Sequence, residues 1–305
     1  INPPAQGGHG LDAQWSDDFH HSLHTLLTGE TLGYYQDFGS PAHLVKVLQQ
    51  GYAFDGNYSR FRKRRHGNDP SHRPPYQFVV CAQNHDQVGN RMLGERLTAL
   101  VDFEALKLAA GATVLSPYIP LLFMGEEYGE TAPFLYFVSH GDPDLVQAVR
   151  EGRKREFADF HDLGDPPDAA SLETLNRSTL NWDLLGQGKH QRLWEFYQRL
   201  IQLRRQMPAL ACGEDRNLEA KYDESQGVIT LRRWRSRSQA ISLMNCQPEP
   251  VSYLPVLDGQ WQQRLNSADE HWLGPGNKAP ETLETGKMAV LPPHSFVLYE
   301  HLTAP

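Results

Sequence analysis

Two short apolar runs in this chain each end abruptly in polar and acidic residues. Phe78–Val80 leads into Asn-His-Asp at residues 84–86, and residues 121–124 lead into the acidic stretch 125–130. Near-continuous apolar runs are typical of parallel strands that are covered on both faces. Because α/β barrels carry functional side chains at the carboxyl ends of such strands, the sequence predicts a parallel α/β unit with acidic groups along one edge.

The same patterns have other interpretations. A strand followed by an Asx-type turn would also bring Asn84, His85 and Asp86 together, and this alternative stays open. A doubly wound sheet would share the order of strands and helices. Nucleotide binding by such a sheet is expected to use Gly-x-Gly-x-x-Gly after a strand, and neither run is followed by that motif. We therefore prefer a barrel-like unit.

Further patterning divides the chain into two predicted domains. Apolar residues at helical spacing predict helices at about residues 17–28, 41–50, 102–115 and 192–207. Ser16 is expected to begin the first helix and Gly29 to end it. Beyond Cys212, short β-type segments are separated by Gly, Pro and Asn. We predict a barrel-like α/β domain at residues 1–211 and a small antiparallel β domain at residues 212–305.

Composition narrows the possible partners and the location. The net charge is −8 and the one basic run, residues 60–65, is short, so no nucleic-acid partner is predicted. No apolar run reaches eighteen residues, so no membrane partner is predicted either. The 3 widely spaced cysteines suggest neither a disulfide framework nor a metal site, which favours a cytoplasmic location.

No metal or other cofactor is predicted. His20 and His24 share a helix face, but the glutamate of a His-Glu-x-x-His zinc motif is missing. The sequence also lacks a recognisable set of calcium ligands.

Residues 52–75 form a predicted loop that is too long for an inert connection. It carries Tyr58, Phe61 and Arg62 within a few positions. Aromatic faces beside planar polar groups suit a sugar, whose C–H surface packs on the ring while its hydroxyls form hydrogen bonds. The alternative is that these rings only hold the loop against the body of the protein.

Several motifs together resemble one known family. They are Asp-Ala-Gln-Trp within residues 10–21, Asn-His-Asp-Gln-Val-Gly-Asn-Arg at 84–91, and the blocks at 116–120, 123–130 and 149–153. These blocks closely resemble the maltooligosyltrehalose trehalohydrolases of the α-amylase clan of glycoside hydrolases. The resemblance is strongest before about Phe157 and is only architectural after Cys212. It implies a TIM (β/α)8 barrel followed by a C-terminal β-sandwich, with this chain supplying strands six to eight.

The resemblance also implies an activity and roles for individual residues. Family members are retaining α-glycosidases of trehalose biosynthesis that cleave the α-1,4 bond next to the terminal trehalose of maltooligosyltrehalose. Asp86 matches the carboxylate that stabilises the transition state, and His85 matches the imidazole that holds sugar hydroxyls. Asn84 is expected mainly to support the strand end, and Gln87 to lie with it at the substrate. Tyr34, Phe61 and Arg62 match residues at the trehalose end of the cleft.

The family's nucleophile and general acid, at the ends of the fourth and fifth strands, have no counterpart in these 305 residues. Asp12, Asp17 and Asp18 fall in the sixth-strand region and do not replace them. We therefore expect a C-terminal portion that is inactive alone, with maltooligosaccharides and the missing N-terminal half of the same enzyme as partners. The alternatives are an α-1,4-glucan branching enzyme, which shares a similar Phe-Met-Gly-Glu-Glu block, and a noncatalytic carbohydrate-binding module.

Overall fold

The computed structural model describes residues 1–158, 164–276 and 278–301. Its α-helices are α1 Asp17–Thr28, α2 Pro41–Gln50, α3 His85–Gly89, α4 Leu97–Leu100, α5 Phe103–Val114, α6 Pro143–Glu156, α7 Leu172–Arg177 and α8 Gly188–Gln206. Its strands are β1 Gln14–Trp15, β2 Asp55–Ser59, β3 Arg64–Gly67, β4 Phe78–Val80, β5 Ile119–Pro120, β6 Leu218–Asp223, β7 Val228–Arg235, β8 Ser238–Asn245, β9 Val251–Tyr253, β10 Trp261–Asn266, β11 Thr282–Leu283, β12 Ala289–Leu291 and β13 Ser295–His301.

The chain divides into two compact units. Unit one contains Ile1–Ala82, Asp102–Leu121 and Arg192–Pro305, and unit two contains Gln83–Val101 and Leu122–Gln191. The predicted boundary between residues 211 and 212 therefore lies inside unit one, and it stays a prediction. Within the described residues, no helix is both long enough and apolar enough to cross a membrane.

A three-stranded parallel sheet lies in unit one, in the order β1-β4-β5. Phe78 and Val80 in the central strand are fully buried, as the apolar run predicted. The second predicted strand, at residues 121–124, is wrong by two positions, because β5 is Ile119–Pro120. After the bond from Leu121 N to Val80 O the chain leaves the sheet, and Leu122 and Met124 are 37% and 44% exposed.

The predicted helices are confirmed as α1, α2, α5 and α8, although α8 begins at Gly188, four residues before the predicted start. Gly29 ends α1 in the left-handed conformation, and Asp102 caps α5 by accepting from Ala105 N. Ser16 precedes α1, but its hydroxyl donates to Gly51 O at 2.5 Å instead of capping. The loop predicted at residues 52–75 contains the β2–β3 hairpin, which periodicity missed because its strands are largely polar and exposed.

An antiparallel sheet forms the C-terminal part of unit one, in the order β11-β10-β13-β8-β7-β6. The two-stranded β9–β12 ladder packs against one face of it around buried Trp261, Leu243 and Leu291. α5 packs on β13 so closely that a Cβ added at Gly111 would lie 2.2 Å from the Phe296 ring. This small two-layer β structure is the predicted C-terminal antiparallel fold.

Unit two consists mainly of short helices and connecting segments. The weakly patterned segment at residues 131–189 contains α6 and α7, which were missed because α6 is exposed along most of its length. Arg153 is the buried residue of α6, and its guanidinium lies 4.8 Å from the centre of the Tyr136 ring. Gly94 has a φ of 61°, and a Cβ there would lie 2.5 Å from Phe134 O, so this turn requires glycine.

Candidate functional site

The residues predicted for the site fall in both units, and each group is described separately. In unit two, Asn84 Oδ1 accepts from Asp86 N at 2.8 Å and from Gln87 N at 3.4 Å. Asn84 therefore caps α3, which also makes the Asx interpretation correct for the backbone. The cap fixes His85 and Asp86 in the first turn of a 5-residue helix, which residues 81–84 connect to the end of β4.

The side chains of His85 and Asp86 point into solvent. They are 56% and 63% exposed, and His85 Nε2 lies 3.5 Å from Asp86 Oδ1. Gln87 has only 7% of its surface exposed. The segment that precedes α3 is stabilised by buried Gln83, because the Oε1 atom of Gln83 accepts from Leu97 N at 2.9 Å. The first turn of α3 thus exposes a carboxylate and an imidazole, side by side, to solvent and to a potential ligand.

The acidic stretch after β5 does not present its carboxylates in the same way. Glu126 and Glu130 are 5% and 0% exposed. Glu130 accepts from Thr131 N and Ala132 N at 2.8 Å each, from Tyr128 Oη at 2.9 Å and from Asn181 N at 2.6 Å. The expectation of exposed acidic groups along this edge is therefore wrong for Glu126 and Glu130, because Gly125, with a φ of 88°, turns the chain back on itself.

A buried arginine accompanies Glu130. Arg96 is 2% exposed and donates to Ala132 O and Met124 O at 2.8 Å each. Burial lowers the pKa of Arg96, and the negative charges of Glu130 and its neighbours act in the opposite direction. Glu130 is thus the centre of a packed hydrogen-bond network.

In unit one, the predicted ligand-binding residue Tyr34 contacts both His21 and Phe61, and Arg62 lines the same cavity as His21. The ring centres of Tyr34 and His21 are 4.9 Å apart, and those of Tyr34 and Phe61 are 6.1 Å apart with the planes nearly perpendicular. Phe61 is 43% exposed. We call these four residues the aromatic patch. It presents ring surface beside a guanidinium, the chemistry expected for a sugar.

Asp37 fixes the loop that carries Phe61, and sequence reasoning missed it. Its carboxylate accepts from Ser59 Oγ at 2.5 Å, from Arg60 N at 2.7 Å and from Phe61 N at 3.3 Å. The donors lie more than 20 residues away along the chain, so no local pattern signals the contact. The only hint was its place in the Gly-bounded aromatic segment 33–39.

Two histidines of α1, His20 and His21, have distinct surroundings. Burial lowers the pKa of His21 to about 3, with smaller effects of the same sign from His24 and Arg62. His20 donates from Nδ1 to Ala82 O at 2.6 Å and accepts from Tyr35 Oη at 2.8 Å. Among the described residues, no group of three or more metal-ligating side chains is clustered.

A cavity of about 580 Å³ in unit one includes two patch residues, Arg62 and His21, together with Trp15 and Asp18 in its lining. Asp18 is buried and accepts from Ala53 N at 2.8 Å and Phe54 N at 3.0 Å. Its pKa is raised by burial, and the two backbone bonds oppose that shift. The volume falls in the range of roughly 300–1,000 Å³ that small-molecule sites occupy.

Comparison with characterised proteins identifies the family. The chain is 46% identical over 235 residues to a malto-oligosyltrehalose trehalohydrolase from Brevibacterium helvolum, covering 76% of this chain and 40% of that protein. A malto-oligosyltrehalose trehalohydrolase from Rhizobium sp. (strain M-11) is 44% identical over 255 residues, covering 83% of this chain and 42% of that protein. This chain belongs to the maltooligosyltrehalose trehalohydrolase family. It spans less than half the length of these relatives.

Solved structures agree with the family assignment and with the predicted fold class. A Salmonella typhimurium protein, provisionally named an alpha-amylase, superposes with a TM-score of 0.79 at 35% identity, over 95% of this chain and 47% of that one. The predicted α/β class with a C-terminal antiparallel β structure is thereby confirmed. The assignment of β1, β4 and β5 to positions six to eight of a trehalohydrolase barrel stays a prediction. No protein-family model matches the chain.

Proposed function

We propose that this chain is part of a retaining glycoside hydrolase that cleaves the α-1,4 bond next to the terminal trehalose of maltooligosyltrehalose. Asp86 is the carboxylate that stabilises the transition state. The observation that carries this proposal is the exposure of Asp86 at the end of β4, on a helix that Asn84 caps. A carboxylate whose backbone is held by a helix cap is preorganised for a developing positive charge.

The chemistry assigns separate tasks to the two described surfaces. In a retaining glycosidase the sugar becomes an oxocarbenium-like cation in the transition state. The negative charge of Asp86 stabilises that cation, and His85 forms a hydrogen bond with a hydroxyl of the reacting sugar. Asn84 and Gln87 fix the strand end. Tyr34, Phe61 and Arg62 bind the trehalose end, through ring surface and guanidinium hydrogen bonds.

The nucleophile and the general acid of this mechanism, about 5 Å apart in retaining enzymes, come from residues other than these 305. The lengths of the relatives support this, since the chain covers 40% and 42% of two of them. The chain alone is then expected to bind oligosaccharide without cleaving it. A cytoplasmic location, with neither nucleic acid nor membrane as partner, fits its free cysteines and its net charge of −8.

The test uses the chain alone and a chimera. In the chimera, the part of the Brevibacterium helvolum relative that precedes its match is joined to residues 1–305. We expect trehalose release from maltooligosyltrehalose by the chimera and none by the chain. Asp86→Asn in the chimera should lower kcat by about two to three orders of magnitude, the scale for one charge-stabilising group.

Asp144→Asn is the matched control. Like Asp86, Asp144 is an exposed aspartate in the first turn of a helix, and its backbone N–H donates to the side chain of the N-cap residue, Asp142. This substitution should leave kcat within about twofold. An active Asp86→Asn chimera would disprove the assignment of Asp86. Formation of α-1,6 branches in place of trehalose would favour the branching enzyme.

A noncatalytic binding module is the second candidate, favoured by the exposed Phe61 ring beside Tyr34 in the aromatic patch. It would bind maltooligosaccharides through the aromatic patch, and the chimera would release no trehalose. Both candidates expect the chain alone to bind maltotetraose without cleaving it, which calorimetric titration measures. Trehalose release by the chimera is therefore the result that separates them.

A further inference from the structure

A second cavity in unit one contains none of the residues that the proposed function uses. Its volume is about 410 Å³. We call it the Tyr76–Trp234 cavity, and the lining residues used below are Tyr76, Glu214, Asp215, Asn217, Trp234 and Arg235. They come from the segment before β4, the connection after α8 and the end of β7, so the cavity is assembled from three distant parts of the chain.

Two large rings are left in solvent at this cavity. Tyr76 is 42% exposed and Trp234 is 36% exposed. Tyrosine and tryptophan combine a wide apolar face with a polar group, so a partly polar ligand can cover their exposed surface without losing its own hydrogen bonds. Two such rings in the lining of one concave site suit a ligand with flat C–H faces.

The remaining lining residues supply hydrogen bonds of both kinds. Glu214, Asp215 and Arg235 are exposed, and Asn217 is half-buried. Carboxylates accept from hydroxyl groups, the guanidinium donates to them, and the amide does both. The mixture of charges disfavours a strongly anionic or strongly cationic ligand, whereas a neutral polyhydroxyl chain satisfies every group.

The wall of the cavity is rigid. Arg233 is 4% exposed and donates to Leu115 O and Ser116 O at 3.0 Å each, to Leu210 O at 3.1 Å and to Ala211 O at 2.8 Å. These bonds tie β7 to the backbone segments before β5 and after α8. A wall that is already ordered costs little conformational entropy when a ligand binds.

The wall next to Trp234 is also tied down by the backbone. Trp234 N donates to Asn217 O at 3.0 Å, which holds the end of β7 against the segment before β6. Both residues line the cavity. The tryptophan ring therefore projects from backbone that is fixed on both sides, as a stacking platform requires.

We propose that the Tyr76–Trp234 cavity is a second α-1,4-glucan-binding site, in which sugar rings pack on Tyr76 and Trp234 while hydroxyls bond Glu214, Asp215, Asn217 and Arg235. The choice of α-glucan as ligand rests on the proposed function, whose substrate has this chemistry. The site holds a glucan chain on the enzyme through residues that do not take part in its cleavage.

The test is calorimetric titration with maltotetraose of the chain carrying Phe61→Ala and Arg62→Ala, which removes binding at the aromatic patch. We expect saturable binding that Trp234→Ala and Tyr76→Ala each weaken by about tenfold or more. Trp182→Ala, which removes a tryptophan that is 62% exposed in unit two, should change the affinity by less than about twofold. Trp234→Phe keeps an aromatic face and should retain most of the affinity.

Absence of binding in the Phe61→Ala, Arg62→Ala background would overturn the proposal, and so would binding that Trp234→Ala and Tyr76→Ala leave unchanged. If Trp234→Ala fails to fold by circular dichroism, Tyr76→Ala and the pair Glu214→Gln, Asp215→Asn decide the question. Equal binding of the β-linked cellotetraose would overturn the ligand class.

Failure of this site and failure of the proposed function give different results. If the chimera described above releases trehalose while these variants have no effect, only the second site is wrong. If the chimera releases none while Trp234-dependent binding persists, only the hydrolase is wrong. Titration of a chimera carrying Phe61→Ala and Arg62→Ala completes the test, because loss of Trp234-dependent binding there would overturn the site in the longer enzyme.

Discussion

The ends of β4 and β5 look alike in sequence and differ in the structure. Both are followed by a polar, acidic segment. After β4, Asp86 is 63% exposed on a capped helix. After β5, Glu130 is fully buried and accepts four hydrogen bonds. A carboxylate that follows a strand is therefore a candidate functional group only when its oxygens remain available to accept hydrogen bonds from a ligand.

β1 provides a third case, and it resembles β5. Asp18, three residues beyond this strand, is buried and bonds the amides of Ala53 and Phe54. Its role is to hold the start of the loop that leads to the aromatic patch. Of these three carboxylates only Asp86 is solvent-exposed, which is why the proposed chemistry is placed there.

The largest effect that separates the two strand ends is expected for Glu130→Ala. The change removes the acceptor for Thr131 N, Ala132 N, Asn181 N and Tyr128 Oη; Tyr128 is buried, and the bonds from the three amides are part-buried. We expect the free energy of unfolding to fall by about 3 kcal/mol or more, since four hydrogen bonds to a carboxylate are lost and the buried Tyr128 hydroxyl is left unpaired, which alone costs about 1–3 kcal/mol. Urea denaturation measures the change.

Asp86→Ala is the comparison for that experiment. Because the Asp86 side chain is exposed, its removal should change the free energy of unfolding by less than about 0.5 kcal/mol. Equal losses for the two variants would show that the buried and exposed carboxylates do not differ in the way the structure describes. Glu130→Gln, which keeps one acceptor oxygen, should fall between them.

The second effect concerns the histidine that follows β1. The unfolded chain binds a proton at His21 near pH 6.5, whereas the folded protein, in which burial lowers the pKa to about 3, does not. Stability is therefore present above pH 6.5 and is lost as the pH falls, at up to about 1.4 kcal/mol per pH unit. Between pH 7 and pH 5 we expect His21 to contribute a loss of about 2 kcal/mol.

His21→Phe isolates this contribution, because it keeps a ring against Tyr34 and Phe38 and removes the titrating group. Between pH 7 and pH 5 the wild-type protein should lose about 2 kcal/mol more of its unfolding free energy than the variant does. The raised pKa of Asp18 acts with the opposite sign, favouring the folded state at low pH, but it is common to both proteins and cancels. A difference that does not vary with pH would contradict the neutral state of His21 in the folded protein.

Sequence reasoning succeeded where the physical signal is local. β4 and the helices α1, α2, α5 and α8 follow from apolar spacing and from end residues such as Pro41 and Gly29. Prediction from the sequence failed where a segment's structure depends on residues that are distant along the chain. Residues 121–124 are apolar but lie beyond the sheet, and β10 contains Gln262 and Gln263, which hide its strand character.

The candidate site shows the same division. The motifs of residues 84–91 locate Asp86, and the cap formed by Asn84 is readable because its donors lie two and three residues ahead. The inward turn of Glu130 depends on Asn181, which is 51 residues away. The support that Asp37 gives to Phe61 and the assembly of the Tyr76–Trp234 cavity are equally non-local, so no sequence pattern specifies them.

The smallest predicted effect concerns the cap that distinguishes the β4 end. Asn84→Ala removes the acceptor for Asp86 N and Gln87 N, and the loss of a cap costs about 1 kcal/mol. Amide exchange at Asp86 and Gln87 should accelerate by about fivefold, which is that free energy expressed as an opening equilibrium. Exchange at Leu97, whose amide is bonded by Gln83, should not change.

Asn84→Asp keeps a capping oxygen and should restore slow exchange, whereas Ser171→Ala removes the equivalent cap of α7 and should leave residues 84–87 unaffected. If Asn84→Ala accelerates exchange and also lowers kcat in the chimera, with Asn84→Asp rescuing both, the backbone cap is what holds Asp86 ready for the sugar. If exchange accelerates while kcat is unchanged, the exposure of Asp86 is sufficient for its role in catalysis and the cap is not needed. The segments after β4 and β5 then differ only in that the carboxylate of Asp86 faces solvent and that of Glu130 faces the protein interior.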